Sequence, residues 1–293
     1  MDTISSWLRL AAASLLLVAS GLIPALEDPG SRTWADGTAV ATRTRIEAIL
    51  TGPGTRRHLV CGHRGDYRLQ EGNNLRSFDS GWRAGLDLIE IDVESTADGV
   101  PVVVHDEWPR TKTWADWQRR RKPLLTLARA LAWAAPIGKP LLVLDIKTPH
   151  LESVVAAIRA ARAAGRVVAF ASDEHEYHRL RFLMPELDVM VRAHDAKGAR
   201  AWAARQDPKI VMIHGDYDWM HGGLCDELRA MGYRTYCNSW KLTWDDEASG
   251  AASSVGRIFR RGIDVAQTNH PPTAVAARNA ANRRAGRWLP GTE

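Results

Sequence analysis

Short apolar runs alternate with segments of helical periodicity along the chain from His58 onward. Brief β-rich runs bounded by turn residues are typical of buried parallel strands, and the apolar spacing over residues 151–164 and 224–231 predicts helices punctuated by Gly165 and Gly232. We predict eight strands, at residues 59–63, 88–93, 141–146, 167–171, 189–192, 210–214, 234–238 and 263–267. Eight successive strand and helix units predict the α/β class and a (β/α)₈ TIM barrel.

Two segments depart from this alternation. Residues 102–104 follow the turn signal Asp98-Gly99, so we predict a short extra strand that forms a hairpin with the second barrel strand. Residues 107–122, "EWPRTKTWADWQRRRK", have no clean period and are interpreted as an excursion over one face of the barrel. A further short helix is predicted around residues 44–50.

The composition is that of a soluble globular protein, with 45% hydrophobic and 25% charged residues. The net charge of +5 comes with arginines spread along the chain, and neither a zinc finger nor an aromatic RNA-binding signature is present. No nucleic-acid partner is therefore predicted. A basic balance suits a phosphate-bearing small substrate or transient contact with an anionic membrane surface.

The first residues differ from the rest of the chain. Residues 10–23 form an apolar run that is short for a membrane span and resembles the core of a secretory signal, with cleavage near Ala25. We expect an exported protein, periplasmic or secreted, and an uncleaved membrane anchor is the alternative. Cys225 and Cys237 could pair in an oxidising compartment. The predicted organisation is a signal peptide or anchor at 1–25, a linker at 26–57, a barrel at 58–285 and a tail at 286–293.

Polar and ionisable residues gather where the predicted strands end. In "CGHRGDY" a histidine and an arginine stand between two glycines, and the glycines allow another group to approach the backbone closely. Glu90 and Asp92 are two residues apart, so both project from one face of their strand, and Asp145 and Lys147 repeat this spacing. In a barrel these strand ends share one mouth.

The three carboxylates Glu90, Asp92 and Asp145 would repel one another in a confined space unless positive charge lies among them. Salt bridges to Arg64 and Lys147 could supply that charge, but a divalent cation explains the whole set more simply. Oxygen ligands favour a hard ion, Mg²⁺ or Ca²⁺.

His63 and His105 are the candidate proton-transfer pair, because histidine titrates near the pH at which general acid-base catalysis works. Arg64 and Lys147 can bind anionic oxygens. Together with a cation site, these residues point to phosphoryl chemistry on a small phosphodiester or a phospholipid head group.

Five motifs in order carry a family resemblance: "HRGD", "EIDVESTADGVPVVVHDE", "LLTLARAL", "LDIKT" and "GIDVAQTNHPP". They resemble the glycerophosphodiester phosphodiesterase family over about residues 58–272. The resemblance implies a barrel of the phospholipase C-like phosphodiesterase type and a metal-dependent hydrolase. By motif position it implies metal ligands Glu90, Asp92 and Asp145, an acid-base pair His63 and His105, and phosphate or substrate binders Arg64, Lys147 and Asn73.

Three features depart from the family pattern. The glutamate of the family's Pro-Glu-Asn motif is displaced by one residue, to Glu71, while Asn73 keeps its place. The third-strand acid is Asp145 where the family usually has glutamate, which is similar to the sphingomyelinase D and phospholipase D-type toxins. The excursion is short and contains Trp108, Trp114 and Trp117, which could stack on a head group, touch a bilayer or pack the loop onto the barrel.

The main hypothesis is therefore a phosphodiesterase that acts on glycerophosphodiesters. The alternative is a toxin-like enzyme that acts on choline (lyso)phospholipids and forms a cyclic phosphate. A third hypothesis, prompted by the displaced glutamate, is a barrel that binds phosphodiesters without cleaving them.

Overall fold

The computed structural model describes residues 46, 49–50, 57–69, 72–120, 124–240 and 254–285. All of them belong to the compact unit Ala39–Glu293. The predicted signal segment, nearly all of the linker, Glu71, the end of the excursion and the C-terminal tail lie outside the described residues.

Eight parallel strands form the predicted TIM barrel. The nine strands in chain order are β1 (Leu59–His63), β2 (Leu88–Ser95), β3 (Pro101–Val103), β4 (Leu141–Ile146), β5 (Val167–Ala171), β6 (Asp188–Arg192), β7 (Ile210–His214), β8 (Arg234–Asn238) and β9 (Val265–Thr268). All except β3 pair with their barrel neighbours in parallel, and β9 returns to β1 to close the sheet. The (β/α)₈ prediction is confirmed.

The short strand β3 is the predicted hairpin partner of β2. It pairs antiparallel, with Val93 opposite Val103, and Gly99 turns the chain at a φ of 80°. The excursion that follows is not irregular throughout. It contains a 3₁₀ helix (Trp108–Thr111) and a short helix, α2 (Trp114–Gln118).

Helices cover the outside of the barrel. Besides α2 they are α1 (Leu75–Arg83), α3 (Leu127–Trp133), α4 (Leu151–Ala160), α5 (Glu174–Leu183), α6 (Ala196–Ala203), α7 (Gly222–Ala230), α8 (residues 254–260) and α9 (Pro271–Arg284). The predicted helix at 151–164 ends early, because Arg162 adopts a φ of 47° and a 3₁₀ turn follows. Among the described residues, no helix has both the length and the apolar character required to cross a bilayer.

Apolar side chains fill the lower half of the barrel. Leu59, Cys61, Val143 and Tyr236 belong to this inner core, which also buries Leu50 from the segment before β1. A larger core lies between the strands and the helices and includes Cys225 and Cys237, which no disulfide joins. Since the apolar layers occupy the lower barrel, the polar residues lie at the carboxyl ends of the strands.

Candidate active site

Three acids meet at the carboxyl ends of neighbouring strands. Glu90 and Asp92 project from β2 and Asp145 projects from β4, and side-chain oxygens of all three lie within 4.8 Å of one another. The strand register explains the meeting, because Asp92 is directly paired with Asp145. Glu90 is 6% exposed and Asp92 is 2% exposed, so water screens these charges poorly.

Two cationic side chains, Lys147 and Arg64, form salt bridges with part of this cluster. Lys147 Nζ lies 2.7 Å from Asp145 Oδ2 and 3.2 Å from Asp92 Oδ1, while Arg64 Nε lies 2.9 Å from Asp92 Oδ2. Burial alone would lower the pKa of Lys147, but Asp145 and Asp92 raise it overall. The salt bridges considered from the sequence are therefore present, and Asp92 is shared between both cations.

The two cations do not neutralise all three acids. Burial raises the pKa of Glu90 well above its usual value, and repulsion from Asp92 and Asp145 raises it further. Burial also raises the pKa of Asp145, although Lys147 opposes the shift. A group of oxygen donors in which Glu90 and Asp145 have raised pKa values fits a hard divalent cation, since such an ion favours the charged forms of its ligands. Glu90, Asp92 and Asp145 are the residues that would hold it.

His63 stands at the end of β1 beside the acids. Its Nδ1 lies 2.7 Å from Asn269 Oδ1, and its Nε2 lies 4.0 Å from Glu90 Oε2. The ring stacks on Trp240, with 4.6 Å between the ring centroids. Burial lowers the pKa of His63 to about 4, which makes the ring neutral near physiological pH. Because an amide oxygen only accepts, Nδ1 carries the proton and Nε2 is left able to take one.

His105 follows β3 and is exposed at the rim of the mouth. Its Nδ1 lies 2.9 Å from Asp106 Oδ1, and this contact lowers the pKa of Asp106. His105 is close enough to His63 for its charge to help lower the pKa of that ring. The two predicted histidines thus differ, since one is held by an amide inside the mouth and the other by a carboxylate at the rim.

The glycines around His63 and Arg64 allow a tight loop against α1. A Cβ on Gly62 would lie 2.4 Å from Leu86 Cδ1 and 2.5 Å from the Gly65 carbonyl oxygen. Arg64 itself has a φ of 53°, a left-handed conformation that few non-glycine residues adopt. Its amide donates to Glu90 Oε2 at 3.1 Å. The loop therefore brings both the backbone and the side chain of Arg64 to the acids.

Asn73 lies on Asp92. Its Nδ2 donates to Asp92 Oδ2 at 2.8 Å, and its Oδ1 accepts from the Asp92 amide at 3.2 Å. The sequence predicts Asn73 as a substrate binder, and the structure places its amide group on a candidate metal ligand. The displaced Glu71 lies outside the described residues.

Several residues of the site are missing from the sequence-based set. Gln267 Nε2 lies 3.3 Å from Glu90 Oε2, and Asn269 holds His63. Gln267 and Asn269 both belong to the motif "GIDVAQTNHPP", so the motif could have marked them as site residues. Their spacing in the sequence does not show which residues they contact. Glu94 binds Arg110 through both oxygens, and Arg110 also donates to the Lys147 carbonyl at 2.9 Å. This bridge ties the excursion to β2 and β4.

Two tryptophans of the excursion, Trp108 and Trp117, differ in how far they are buried. Trp117 is buried, donates to the Pro109 carbonyl at 3.0 Å, and contacts Trp108 edge to face. Trp108 remains 42% exposed at the rim of the mouth. Packing of the loop therefore accounts for Trp117, while Trp108 presents apolar surface to the solvent.

We expect Glu90→Gln to stabilise the metal-free protein at alkaline pH. The folded-state pKa of Glu90 is raised, so wild-type stability falls as pH rises through that pKa and the buried carboxylate must ionise. The gain should therefore be larger at about pH 8 than at about pH 5, where Glu90 is protonated in the folded protein. Urea unfolding in the presence of a chelator measures the stability of the variant and of the wild type at the two pH values. A variant that is less stable than wild type at both pH values contradicts the repulsion described above.

Known proteins resemble the chain in both sequence and fold. The sequence model described as the Glycerophosphoryl diester phosphodiesterase family matches residues 63–134. A curated glycerophosphodiester phosphodiesterase from Caldanaerobacter subterraneus subsp. tengcongensis is 45% identical over 49 residues, covering 17% of this chain and 20% of the relative. This match spans about a fifth of the length of that relative.

Solved structures extend the similarity to most of the barrel. A glycerophosphoryl diester phosphodiesterase from Parabacteroides distasonis superposes with a TM-score of 0.69 at 18% identity, covering 83% of this chain and 92% of that one. An Oleispira antarctica phosphodiesterase, solved with the product sn-glycerol-3-phosphate, gives a TM-score of 0.60 at 17% identity, covering 75% and 96%. At these identities the structures demonstrate a shared fold.

The matched segment carries His63, Glu90, Asp92 and His105, and the shared fold continues through the strands that follow. The resemblance predicted from the motifs is therefore confirmed: the glycerophosphodiester phosphodiesterase family model matches residues 63–134, and the barrel shares the fold of the solved phosphodiesterases.

Proposed function

We propose that the protein is a metal-dependent hydrolase that cleaves glycerophosphodiesters or similar small phosphodiesters, with His63 and His105 as the acid-base pair. The observation that carries this proposal is the juxtaposition of a neutral, oriented His63 with two buried acids and one half-buried acid at the mouth of the barrel. The names of the matching family, curated relative and solved structures support the same reaction.

Substrate binding rests on the cations and the metal ligands. Arg64 and Lys147 border the acids and can each turn a donor toward a phosphoryl oxygen. A divalent ion, Mg²⁺ or Ca²⁺, held by Glu90, Asp92 and Asp145, would stabilise the charge that gathers on the phosphoryl oxygens. Asn73 and Gln267 fix the carboxylates through their amide groups, so the ligands are oriented before substrate arrives.

The histidines move the protons. His63 holds its Nδ1 proton on Asn269, so Nε2 can accept the proton of an attacking hydroxyl. His105 stands at the exposed rim, where it can donate a proton to the departing alcohol, and its Nδ1 contacts Asp106 Oδ1. This assignment takes His63 as the base and His105 as the acid.

The direct test is turnover of glycerophosphocholine with Mg²⁺ or Ca²⁺ and with a chelator. Turnover that depends on the ion supports the proposal. Binding of glycerophosphocholine without turnover under any of these conditions would instead favour the non-catalytic barrel considered from the sequence.

The product distinguishes the main function from the toxin-like alternative. That alternative is favoured by Asp145 in "LDIKT", where the toxins also have aspartate. A free hydroxyl next to the phosphoester has a large effective-molarity advantage over water, so we expect a cyclic phosphate to form first; water then opens the ring in the hydrolase, whereas the cyclic phosphate is the product of the toxin-like alternative. Phosphorus NMR of an early time course shows whether the cyclic phosphate appears before a linear monophosphate. A linear monophosphate without a cyclic precursor under single-turnover conditions would show direct attack by water.

The cellular location is a separate part of the proposal. The apolar run at residues 10–23 supports export, with the barrel either released or anchored outside the cytoplasm. Exposed Trp108 at the rim supports transient contact with a membrane surface. Fractionation of cells that express the full chain tests both points.

A further inference from the structure

Glu94 continues the line of acids along β2. Side chains alternate along a strand, so Glu90, Asp92 and Glu94 project from one face, and Glu94 is the nearest of the three to the rim. Glu94 is fully buried, yet among the described residues it is not part of the group of acids close enough to share a metal ion. A buried carboxylate needs a partner, because an isolated charge away from water is costly. The partner of Glu94 therefore decides where this carboxylate is held.

That partner is Arg110 of the excursion. Its Nε lies 2.9 Å from Glu94 Oε2 and its Nη2 lies 2.6 Å from Glu94 Oε1, so the guanidinium binds both oxygens. The same Nη2 donates to the Lys147 carbonyl at 2.9 Å. A guanidinium is planar and its donors match the two oxygens of a carboxylate, so such a pair fixes orientation as well as charge. One side chain of the excursion is thus held at a defined place on the barrel.

The loop that carries His105 is anchored to β2 on both sides. Before His105, the amide of Val104 donates to the Asp92 carbonyl at 3.0 Å. After it, the 3₁₀ helix contains Arg110, whose guanidinium is held on the same strand. The His105 side chain is 47% exposed, and its contact with Asp106 joins neighbours in sequence and moves with the loop. The distance of this ring from the acids therefore depends on the two anchors.

We propose that Arg110 is a positioning residue for His105. By binding Glu94, it holds the loop so that the ring of His105 faces the leaving alcohol beside the acids. The inference rests on the proposed function, and it adds a residue that supports the acid of that mechanism without touching the reacting atoms.

The experiment compares Arg110→Met, Glu94→Gln and the double variant. Arg110→Met should lower the melting temperature, because it leaves the buried carboxylate without its charged partner. Adding Glu94→Gln removes that charge and should restore most of the melting temperature. The value of kcat on glycerophosphocholine should nevertheless stay at least about tenfold below wild type in the double variant, because the loop is still released. Recovery of stability without recovery of kcat distinguishes positioning from a purely structural role.

The loss should also depend on the leaving alcohol. Glycerophospho-p-nitrophenol releases a phenolate that needs little help from an acid, so the double variant should turn it over nearly as fast as wild type. The matched control is Arg200→Met with Glu227→Gln, which removes an exposed pair between α6 and α7 with the same two-point contact. The control should behave as wild type on both substrates.

Three results would overturn the inference while the proposed function stands. One is recovery of both melting temperature and kcat in the double variant. Another is an equal loss on the two substrates. The third is a raised KM with unchanged kcat, which would show that Arg110 contacts substrate directly from the cavity of about 630 Å³ that it lines with Asp145 and Lys147. Arg110→Lys keeps a charge beside Glu94 without the two-point contact, and it should show the same loss of kcat should the other variants fail to fold.

Histidine side-chain NMR tests the position of His105 without any turnover. In protein labelled with ¹⁵N-histidine, the ring signals of His105 should shift or broaden in the double variant, while those of exposed His221 at the start of α7 should not change. This result together with an inactive wild type would reject the proposed function and keep the positioning role. Unchanged His105 signals together with an active wild type would reject the positioning role alone.

Discussion

His63→Ala should lower kcat on glycerophosphocholine by at least about a hundredfold, because a positioned general base contributes on the order of 10² to 10⁴ in rate. Asn269 and Trp240 fix this ring beside Glu90, so water that enters the vacated space would lack its orientation. His105→Ala should cause a loss of similar size if His105 protonates the leaving alcohol.

The control for both variants is His221→Ala, which removes an exposed histidine at the start of α7. Steady-state kinetics and circular dichroism of the three variants separate loss of chemistry from loss of fold. A folded His105→Ala protein with near wild-type kcat would contradict the two-histidine mechanism. Substrates with a better leaving alcohol should suffer less from His105→Ala than from His63→Ala, since they need less help from an acid.

Asp92→Asn should reduce the affinity for Mg²⁺ and Ca²⁺ by at least about a hundredfold. Asp92 lies between Arg64, Lys147 and Asn73, and it contributes charge that a neutral amide cannot replace.

Calorimetric titration with each ion measures this effect, and Asp226→Asn is the matched control because that aspartate is exposed on α7, away from the cluster. Unchanged affinity in Asp92→Asn would exclude Asp92 as a ligand. Reduced affinity in both variants would indicate a general effect of net charge rather than a defined site.

Local periodicity was enough to predict the barrel and the acid cluster. Glu90 and Asp92 share a strand face because side chains alternate, and parallel strands bring Asp145 alongside them. The ends of elements were less predictable. β9 begins at Val265 rather than at Ile263, and α7 begins at Gly222, two residues before the apolar pattern. Tertiary contacts and turn conformations set such boundaries, and a local pattern does not record them.

The contacts that orient the site could not be predicted in the same way. Asn269 meets His63 across 206 positions of sequence, and Gln267 meets Glu90 across 177. Their partners follow from which strands become neighbours when the sheet closes. The bridge from Glu94 through Arg110 to Lys147 likewise depends on how the excursion folds back over β2 and β4. Single-sequence spacing predicts candidate reacting groups, but it does not identify the residues that orient them.

The closure of β9 against β1 makes chemistry dependent on the last step of barrel assembly. The residue that orients His63 follows β9, and the chain must run through seven other barrel strands before that strand can be inserted. During synthesis the early strands emerge first, with the acids and both histidines already present. A nascent chain at that stage can gather the charged residues but has nothing to hold the Nδ1 proton of His63. The catalytic competence of this barrel should therefore appear late and all at once, and a chain interrupted before β9 should remain inert even where its first half has folded.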